Sequence, residues 1–427
     1  YSANGQKIDQ AGSGSSYGSS WNTAGKTVGV AVDMDNGAIW FSVDGTWQNS
    51  ATISEIENGT TTNAAFTSIS GNFALVYSSG TAGLGTLNTG QSSFSYTQPT
   101  GFNAWSTAAL PEPSIPDPSA YFQTSLWNGN GSTQTITQDG NSTFQPGWIW
   151  SKGRNNVQEH VVFDEVRGTT KYLKVSPAGT EATQSGVTAF NSDGFDLGSW
   201  AGTNGSGQTH VGWQWKAGGT SGSSNTDGSI TSTVSADTTS GFSIATYTGN
   251  ATVGATVGHG LGVAPKMVIV KSRSNAENWV VGHDSMGWTK GIYLNSTSAA
   301  FTLDIYWNNT APTSSVVELH DHPTTNGSGY TYVMYSFAEI PGFSRFSSFV
   351  GNGSSDGPMI YTGFRPAHIV IREITTADSW EMYDSARDPI NVTGRTVRAD
   401  SANAEFDGRA LYRSVDFLSN GFKIRTS

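Results

Sequence analysis

Short apolar stretches recur along the whole chain, and in many of them apolar and polar or small residues alternate, as in Val28-Gly29-Val30-Ala31-Val32 and Val211-Gly212-Trp213-Gln214-Trp215. A period of two puts alternate side chains on one face of an extended strand, whereas a helix needs a period of 3.6 held over about ten residues. No stretch of that helical kind is visible. The apolar stretches are separated by Asn-Gly, Asp-Gly and Gly-Asn pairs, which supply the positive-φ residues that tight hairpins require. The pattern predicts an all-β protein of many short strands.

The strands are grouped. Pro111, Pro113, Pro116 and Pro118 cannot all serve in a central strand, and they predict an extended linker over residues 110–119, with a separate domain over residues 1–109. Gly218 to Asp227 is Gly/Ser-rich and reads as a flexible connection. After the prolines the chain repeats itself three times. Each unit opens on Gly-Asn (Gly129-Asn130, Gly249-Asn250, Gly351-Asn352) and continues through a proline (Pro146, Pro265, Pro366) that precedes an apolar strand. A basic residue follows six places after each proline (Lys152, Lys271, Arg372), and an Asp ends the next strand (Asp164, Asp284, Asp384). The first two units close with an identical turn, Asn204-Gly205-Ser206-Gly207 and Asn326-Gly327-Ser328-Gly329, leading to aromatics nine and eleven residues after the Asn. The expected domains are β-sandwiches over 120–219, 220–342 and 343–427. The third is expected to be incomplete, finished by a strand beyond Ser427 or from a neighbouring subunit. A jelly-roll-like sandwich suits the period better than a propeller blade, which is about half as long.

Composition narrows the function. Charged residues are 13% of the chain, against 52 Gly, 14 Trp, 15 Tyr and 20 Phe. Disordered chains lack the aromatic surface that offsets ordering entropy, so this is an ordered protein. A net charge of −11 with no basic stripe argues against a nucleic-acid partner. No run of about 18 apolar residues predicts a membrane-inserted helix. The absence of Cys removes disulfides, thiolate zinc sites and thiol nucleophiles.

Two resemblances add to this. Val28 to Trp47, with its Asp35-Asn36-Gly37 and Asp44-Gly45 turns, resembles the central hairpins of SPRY domains, which are concanavalin-like binding sandwiches without general catalytic activity. The match covers the later part of such a domain, so its opening strands are expected upstream of Tyr1. The repeats resemble a module that recurs in structural proteins of marine bacteriophages, often beside SPRY-like segments. The positions that carry this are the Gly-Asn openings, the proline-led strands, Asp164-Glu165-Val166-Arg167-Gly168 and the Asn-Gly-Ser-Gly turns. The resemblance implies a virion-surface location.

Concanavalin-like sandwiches include glycosidases, which need two carboxyl groups about 5–9 Å apart. The candidates are Glu55/Glu57, Asp33/Asp35 and Glu318/Asp321. Glu55-Ile56-Glu57 reads as a solvated strand end, and Asp33 to Gly37 as a hairpin turn, because a calcium loop would carry its Gly one place later and a Glu at position twelve. His320-Asp321-His322 has two imidazoles and no evident third ligand, so no metal is expected. Asp164, Asp284 and Asp384 read as turn-capping carboxylates, with Arg167 and Arg387 in reach of two of them. Trp148/Trp150 and Trp213/Trp215 read as core. Trp200 and Trp307 stand in turn-rich context and are the candidates for stacking on a sugar ring. No catalytic residue and no cofactor are expected. The reading is a non-catalytic structural or adhesive protein of a phage virion, a tail fibre or another surface appendage, with other virion subunits, a homo-oligomer and host surface glycans as partners. A bacterial surface adhesin or filament subunit, and a glycan-active enzyme, are the alternatives.

Overall fold

The hairpins foreseen at residues 28–47 form where the pattern places them. In the computed structural model, which describes residues 1–9, 12–69, 85–106, 113–303, 305–411 and 413–425, β1 (Gln6–Ile8) pairs with β2 (Gly14–Ser16). Strand β3 (Val28–Asp33) pairs antiparallel with β4 (Ala38–Val43), which turns into β5 (Thr46–Trp47). The Asp33 carboxylate accepts from the amides of Asp35 and Asn36 at 3.0 Å each, so the acidic run is a turn. Asp44 and Gly45 both have positive φ, as a two-residue hairpin loop requires. Trp40 is fully buried among Ala31, Ala38, Ala51, Ile56 and Ala64.

Glu55-Ile56-Glu57 is not a strand end. It lies in the short helix α1 (Ile53–Glu57), started by a reciprocal capping box. The Glu55 amide donates to the Thr52 hydroxyl at 3.2 Å, and the Thr52 amide donates to the Glu55 carboxylate at 2.7 Å. Alternation alone could not distinguish this turn of helix from a strand. Whether residues 1–109 form an incomplete sandwich turns partly on residues 70–84 and 107–109, which lie outside the described residues.

The chain divides into compact units at Glu112/Pro113. In the second unit three successive groups of strands carry one sheet order. The first has β6 (Phe122–Asn128), β7 (Gln134–Thr137), β8 (Pro146–Gly153), β9 (Val161–Asp164), β10 (Lys171–Lys174), β11 (Ala182–Thr183), β12 (Val187–Asn191), β13 (Gly194–Leu197), the helical turn α2 (Ala201–Asn204) and β14 (Thr209–Lys216). One sheet runs β11-β10-β9-β8-β14-β6 and the facing one β12-β13-β7.

The second group has β15 (Ser223–Asn225), β16 (Ser232–Asp237), β17 (Phe242–Thr248), β18 (Ala255–Gly258), β19 (Met267–Ser272), β20 (Val280–His283), β21 (Lys290–Tyr293), β22 (Phe301–Thr302), β23 (Val316–Leu319), α3 (Pro323–Asn326) and β24 (Thr331–Phe337). Its main sheet, β15-β16-β17-β24-β19-β20-β21-β22, repeats the first order and adds two strands at one edge. The third has β25 (Met359–Tyr361), β26 (His368–Ile371), β27 (Glu381–Asp384), β28 (Arg395–Arg398), β29 (Phe406–Asp407), β30 (Val415–Leu418) and β31 (Gly421–Ile424), in sheets β26-β27-β28-β29 and β25-β31-β30. The fold is all-β, built of β-sandwiches.

Two connections differ from expectation. The Gly/Ser stretch contributes β15, whose Ser223, Ser224 and Asn225 pair with Val234, Thr233 and Ser232. An edge strand needs backbone partners more than apolar side chains, and composition reports only the latter. Within the proline linker, Pro118–Ala120 form a turn of 3-10 helix capped by Asp117, and Ile115 is buried.

The three groups share one core. Trp148 and Trp213 from the first, Ile269 and Tyr335 from the second, and Met382 and Val397 from the third belong to a single buried cluster. The tandem sandwiches therefore form one body. Its closure shows in three equivalent backbone hydrogen bonds, Glu181 N to Arg273 O (2.8 Å), Ala300 N to Ile374 O (2.9 Å) and Glu405 N to Arg154 O (2.7 Å). They join the first repeat to the second, the second to the third, and the third back to the first.

Candidate functional site

The chemistry-bearing side chains converge on the seams of this ring. At the seam of the first and second repeats, Asp164 ends β9 and accepts from the Arg167 amide at 2.8 Å, while its other oxygen meets Arg167 Nε at 2.5 Å. The hydroxyl of Tyr335, from β24 of the next repeat, donates to the same oxygen at 2.7 Å. Arg167 continues to Glu181 at 3.3 Å, and Glu181 takes a two-pronged pair from Arg273 of the second repeat.

The seam of the third and first repeats has the same construction. Asp384 accepts from the Arg387 amide at 2.8 Å and meets Arg387 Nε at 2.5 Å, and the Trp213 indole of the first repeat donates to it at 3.1 Å. Arg387 meets Glu405 at 3.1 Å, and Arg154 of the first repeat holds Glu405 with two bonds. Burial alone would raise the Asp384 carboxyl, but the Arg387 charge and hydrogen bonds outweigh it and hold the group below the usual carboxylate range. Glu405 is lowered in the same way, against burial, by Arg154 and Arg387. These carboxylates are committed to ion pairs, which suits a structural role.

The third seam departs from this plan. The second repeat has Met286-Gly287 where an Arg would stand, and Asp284 pairs at the surface with Lys266 at 2.8 Å. Ala300 and Ile374 replace the Glu–Arg pair. Phe346 lies over this seam, 6.2 Å from the His283 ring and 6.0 Å from Phe337.

Of the basic residues six places after each proline, Lys152 and Arg372 reach across seams to a neighbouring repeat, while Lys271 is held within its own, and their positions in the sequence did not reveal this. Lys152 and Lys271 are fully buried. The Lys152 ammonium donates to the carbonyls of Gly153 and Ala402, the Lys271 ammonium to those of Ser272 and Asn275, and Arg372 to those of Thr297 and Ser298. Burial pulls both lysines down to about 8. Trp279 and Trp380 occupy equivalent places and donate their indole N–H to the carbonyls of Lys174 and Tyr293 of the preceding repeat.

The Gly-Asn opening and the Asn-Gly-Ser-Gly turn are two halves of one lock. Asn204 is fully buried, and its side chain accepts from the Asn130 amide at 2.9 Å and donates to Asn130 and to the carbonyls of Ser132 and Gly198. Asn326 accepts from the Asn250 amide at 2.9 Å and donates to the Thr252 carbonyl at 3.0 Å. A Cβ on Gly129 would stand 2.1 Å from the Gly205 carbonyl oxygen, and one on Gly249 would stand 2.5 Å from that of Gly327, so only Gly admits the turn.

The candidate sugar-stacking residues fall elsewhere. Trp307 is fully buried and packs edge-on against Trp288, so it offers no face to a ligand. Trp200 is half-buried; it precedes α2 and packs on Tyr172, with ring centroids 4.6 Å apart. His322 takes the equivalent place before α3, where Nδ1 accepts from the Thr324 amide, and His320 pairs with Asp321. Glu318 accepts from Asn308. Among the described residues no group of three or more His, Asp or Glu is placed to hold a metal ion. Tyr361 and Trp105, 60% and 52% exposed, are the more accessible aromatics. A shallow cleft between the first and third repeats is lined by Phe122, Gln123, Asp139, Ala367 and Ser385.

The chain belongs to the family described as a domain of unknown function (DUF7483), whose model matches residues 117–427 and so runs through all three repeats. No curated protein and no solved structure matches the chain.

Proposed function

We propose that the protein is a non-catalytic structural and adhesive component of a bacteriophage virion, carried on a tail fibre or another surface appendage. The observation that supports this reading best is the use to which the ionisable groups are put. Asp164, Arg167, Glu181 and Arg273, and their counterparts Asp384, Arg387, Glu405 and Arg154, are spent on joining repeats. A carboxylate held charged by an adjacent Arg is a poor general acid and a good fastening. The exposed Tyr361 and Trp105 are suited to stacking on host glycans. The virion location draws on the likeness of the repeats to marine phage structural modules. No helix among the described residues is long and apolar enough to cross a membrane.

The test is to purify particles of a phage that encodes the chain, quantify it by mass spectrometry and locate it by immunogold labelling. The expected result is label on a fibre or other appendage at a fixed copy number. Particles free of the protein would overturn the reading. For the adhesive part, a glycan array should give binding that Tyr361→Ala or Trp105→Ala weakens while the melting temperature holds.

A further inference from the structure

The residue just before the Asp-ending strand holds the same place in all three repeats, and in one of them it is of a different kind. The carbonyls of His160, Trp279 and Trp380 accept from the amides of Val175 (2.9 Å), Leu294 (3.0 Å) and Ala399 (3.1 Å), which makes the three residues counterparts. All three side chains are buried at a seam. Trp279 donates to the Lys174 carbonyl at 2.8 Å and Trp380 to the Tyr293 carbonyl at 2.9 Å. His160 faces the carbonyl that matches these, that of Arg398 in the third repeat. An indole N–H does not titrate in the working range of a protein, whereas an imidazole does. The seam of the third and first repeats therefore closes on a titratable ring where the other two close on indole.

The surroundings of His160 favour its neutral form. The Trp150 indole on β8 donates to Nδ1 at 2.9 Å, so Nδ1 is an acceptor and the ring proton sits on Nε2. Trp213 on β14 lies nearly parallel to the imidazole, with centroids 6.4 Å apart. Burial, then the charges of Lys152 and of Arg387 from the third repeat, hold the ring well below 6.5, and the Arg398 carbonyl works against them. Lys152, pulled down to about 8 by burial, is charged at neutral pH and below. The carboxylates nearby are committed elsewhere: Asp384 to Arg387, Glu405 to Arg387 and Arg154, and Glu381 to Arg398. Glu159 is raised by burial and sees Lys174 and Lys152, so its proton uptake favours the closed seam. His210 sees Lys152, and His368 sees Asp384 and Arg387; burial lowers both.

We propose that the seam of the third and first repeats is an acid-sensitive joint with His160 as its trigger. A proton on Nδ1 breaks the Trp150 bond, sets another cation beside Lys152 and Arg387, and opens this seam before either of the others. Opening leaves the three sandwiches joined in a row by the two remaining seams. The open state takes up the proton near pH 6.5 and the closed state only well below it, so closure from this group is complete above pH 6.5 and is lost as pH falls. The seam of the second and third repeats has His283 beside Phe346; burial lowers it, but Asp284 and Glu339 favour its charged form, so that seam responds less. The proposal stands apart from the virion reading, since it compares the seams alone.

The amides that cross the seams are the probes. Gln158 and Glu405 donate across the third–first seam, Glu181 across the first–second and Ala300 across the second–third. Hydrogen exchange of the full 427-residue chain, read by mass spectrometry and corrected for the intrinsic pH dependence of exchange, should show protection at Gln158 and Glu405 falling from pH 7 to pH 5. The fall expected from one imidazole is up to about 25-fold, with a change under about threefold at Glu181 and an intermediate one at Ala300. The Glu405 and Glu181 carboxyls are both held below the usual range, so the two ion-paired seams stay charged over this interval. His160→Gln keeps an acceptor for the Trp150 indole without titrating, and should hold Gln158 and Glu405 within about threefold over the same interval. A fall at Glu181 or Ala300 as large as that at Glu405, no fall at Gln158 and Glu405, or a full fall in His160→Gln overturns the proposal. The contrast between Glu405 and Glu181 in the unmodified chain decides even where a variant does not fold.

Discussion

Gly129 and Gly351 open their repeats in the same way, and only one of them is crowded. At Gly129 the closing turn lies against the backbone, Asn204 is buried, and β8 is paired on both sides. At Gly351 a Cβ would meet nothing within 4 Å, and among the described residues β26 is paired only with β27. The seams differ in parallel. The two seams that receive an aromatic strand, from β14 and β24, bury an Asp–Arg pair beneath it, whereas at the third Asp284 stays at the surface with Lys266. A buried carboxylate needs both a cation and a lid, since an unpaired buried charge is far costlier than an exposed one. Strand, lid and ion pair therefore come together or are absent together.

This contrast can be broken by mutation. Trp150→Ala should cost roughly 3–5 kcal/mol in chemical denaturation, because a buried indole leaves a cavity. Val370→Ala, at the equivalent but half-exposed position, should cost about 1 kcal/mol or less. Similar losses at the two sites would mean that the third repeat is as tightly closed as the first.

Arg387→Ala and Arg167→Ala leave Asp384 and Asp164 buried without their cations, and each should destabilise by roughly 3–5 kcal/mol. Lys266→Ala removes a partner from an exposed pair and should cost no more than about 1 kcal/mol. If all three fall within a few tenths of each other, the distinction between buried and open seams does not hold.

His368 sharpens the comparison through pH. It packs against Phe122, Trp213 and Trp215, and burial depresses it to about 4. The unfolded chain takes up this proton near pH 6.5 and the folded chain only near 4, so the unfolded state binds more protons between those values. Stability from this group is complete above pH 6.5 and is lost as pH falls toward 4, by roughly 2–3 kcal/mol at pH 4.5. His210, lowered to about 4 by burial, acts in the same direction. Denaturation at pH 7 and pH 4.5 should show the loss, and His368→Gln should reduce it. An equally steep acid loss in the variant would rule out His368 as its source.

The smallest expected effect lies in the lock. Asn204→Ala strands the Asn130 amide and two carbonyls and should cost about 1–3 kcal/mol. Asn352→Ala, at the open counterpart of Asn130, should fall within about 0.5 kcal/mol of the parent protein. Thermal unfolding of the two variants side by side reads the difference.

Local chemistry was legible from the residues. The Asp33 to Gly37 and Asp44-Gly45 turns, the paired aromatics at 213/215 and 335/337, and the threefold repeat depend on neighbours a few places away, and the structure has them where the pattern put them. What a short motif conceals is its competition with other local structures. Thr52-Ile53-Ser54-Glu55 satisfies a capping box as readily as an alternating strand, and the hydrogen bonds decided for the helix. Ser223 to Asn225 lacked the side chains that announce a strand and became one through its backbone.

The sequence by itself determined the β class, the repeat, and the three motifs every unit is built from. Only the tertiary structure decided what those motifs are for. That Asn204 answers Asn130 across 74 residues, that Trp213 answers Asp384 across 171, and that Lys152 is buried while Lys266 is not, are results of closing three sandwiches into one ring. Periodicity reports which face of a strand is apolar, but burial depends on what that face meets. Trp307 in a turn-rich stretch proved to be core, and Val370 in an apolar strand proved to be half-exposed, because burial is set by what packs against a side chain from elsewhere in the fold.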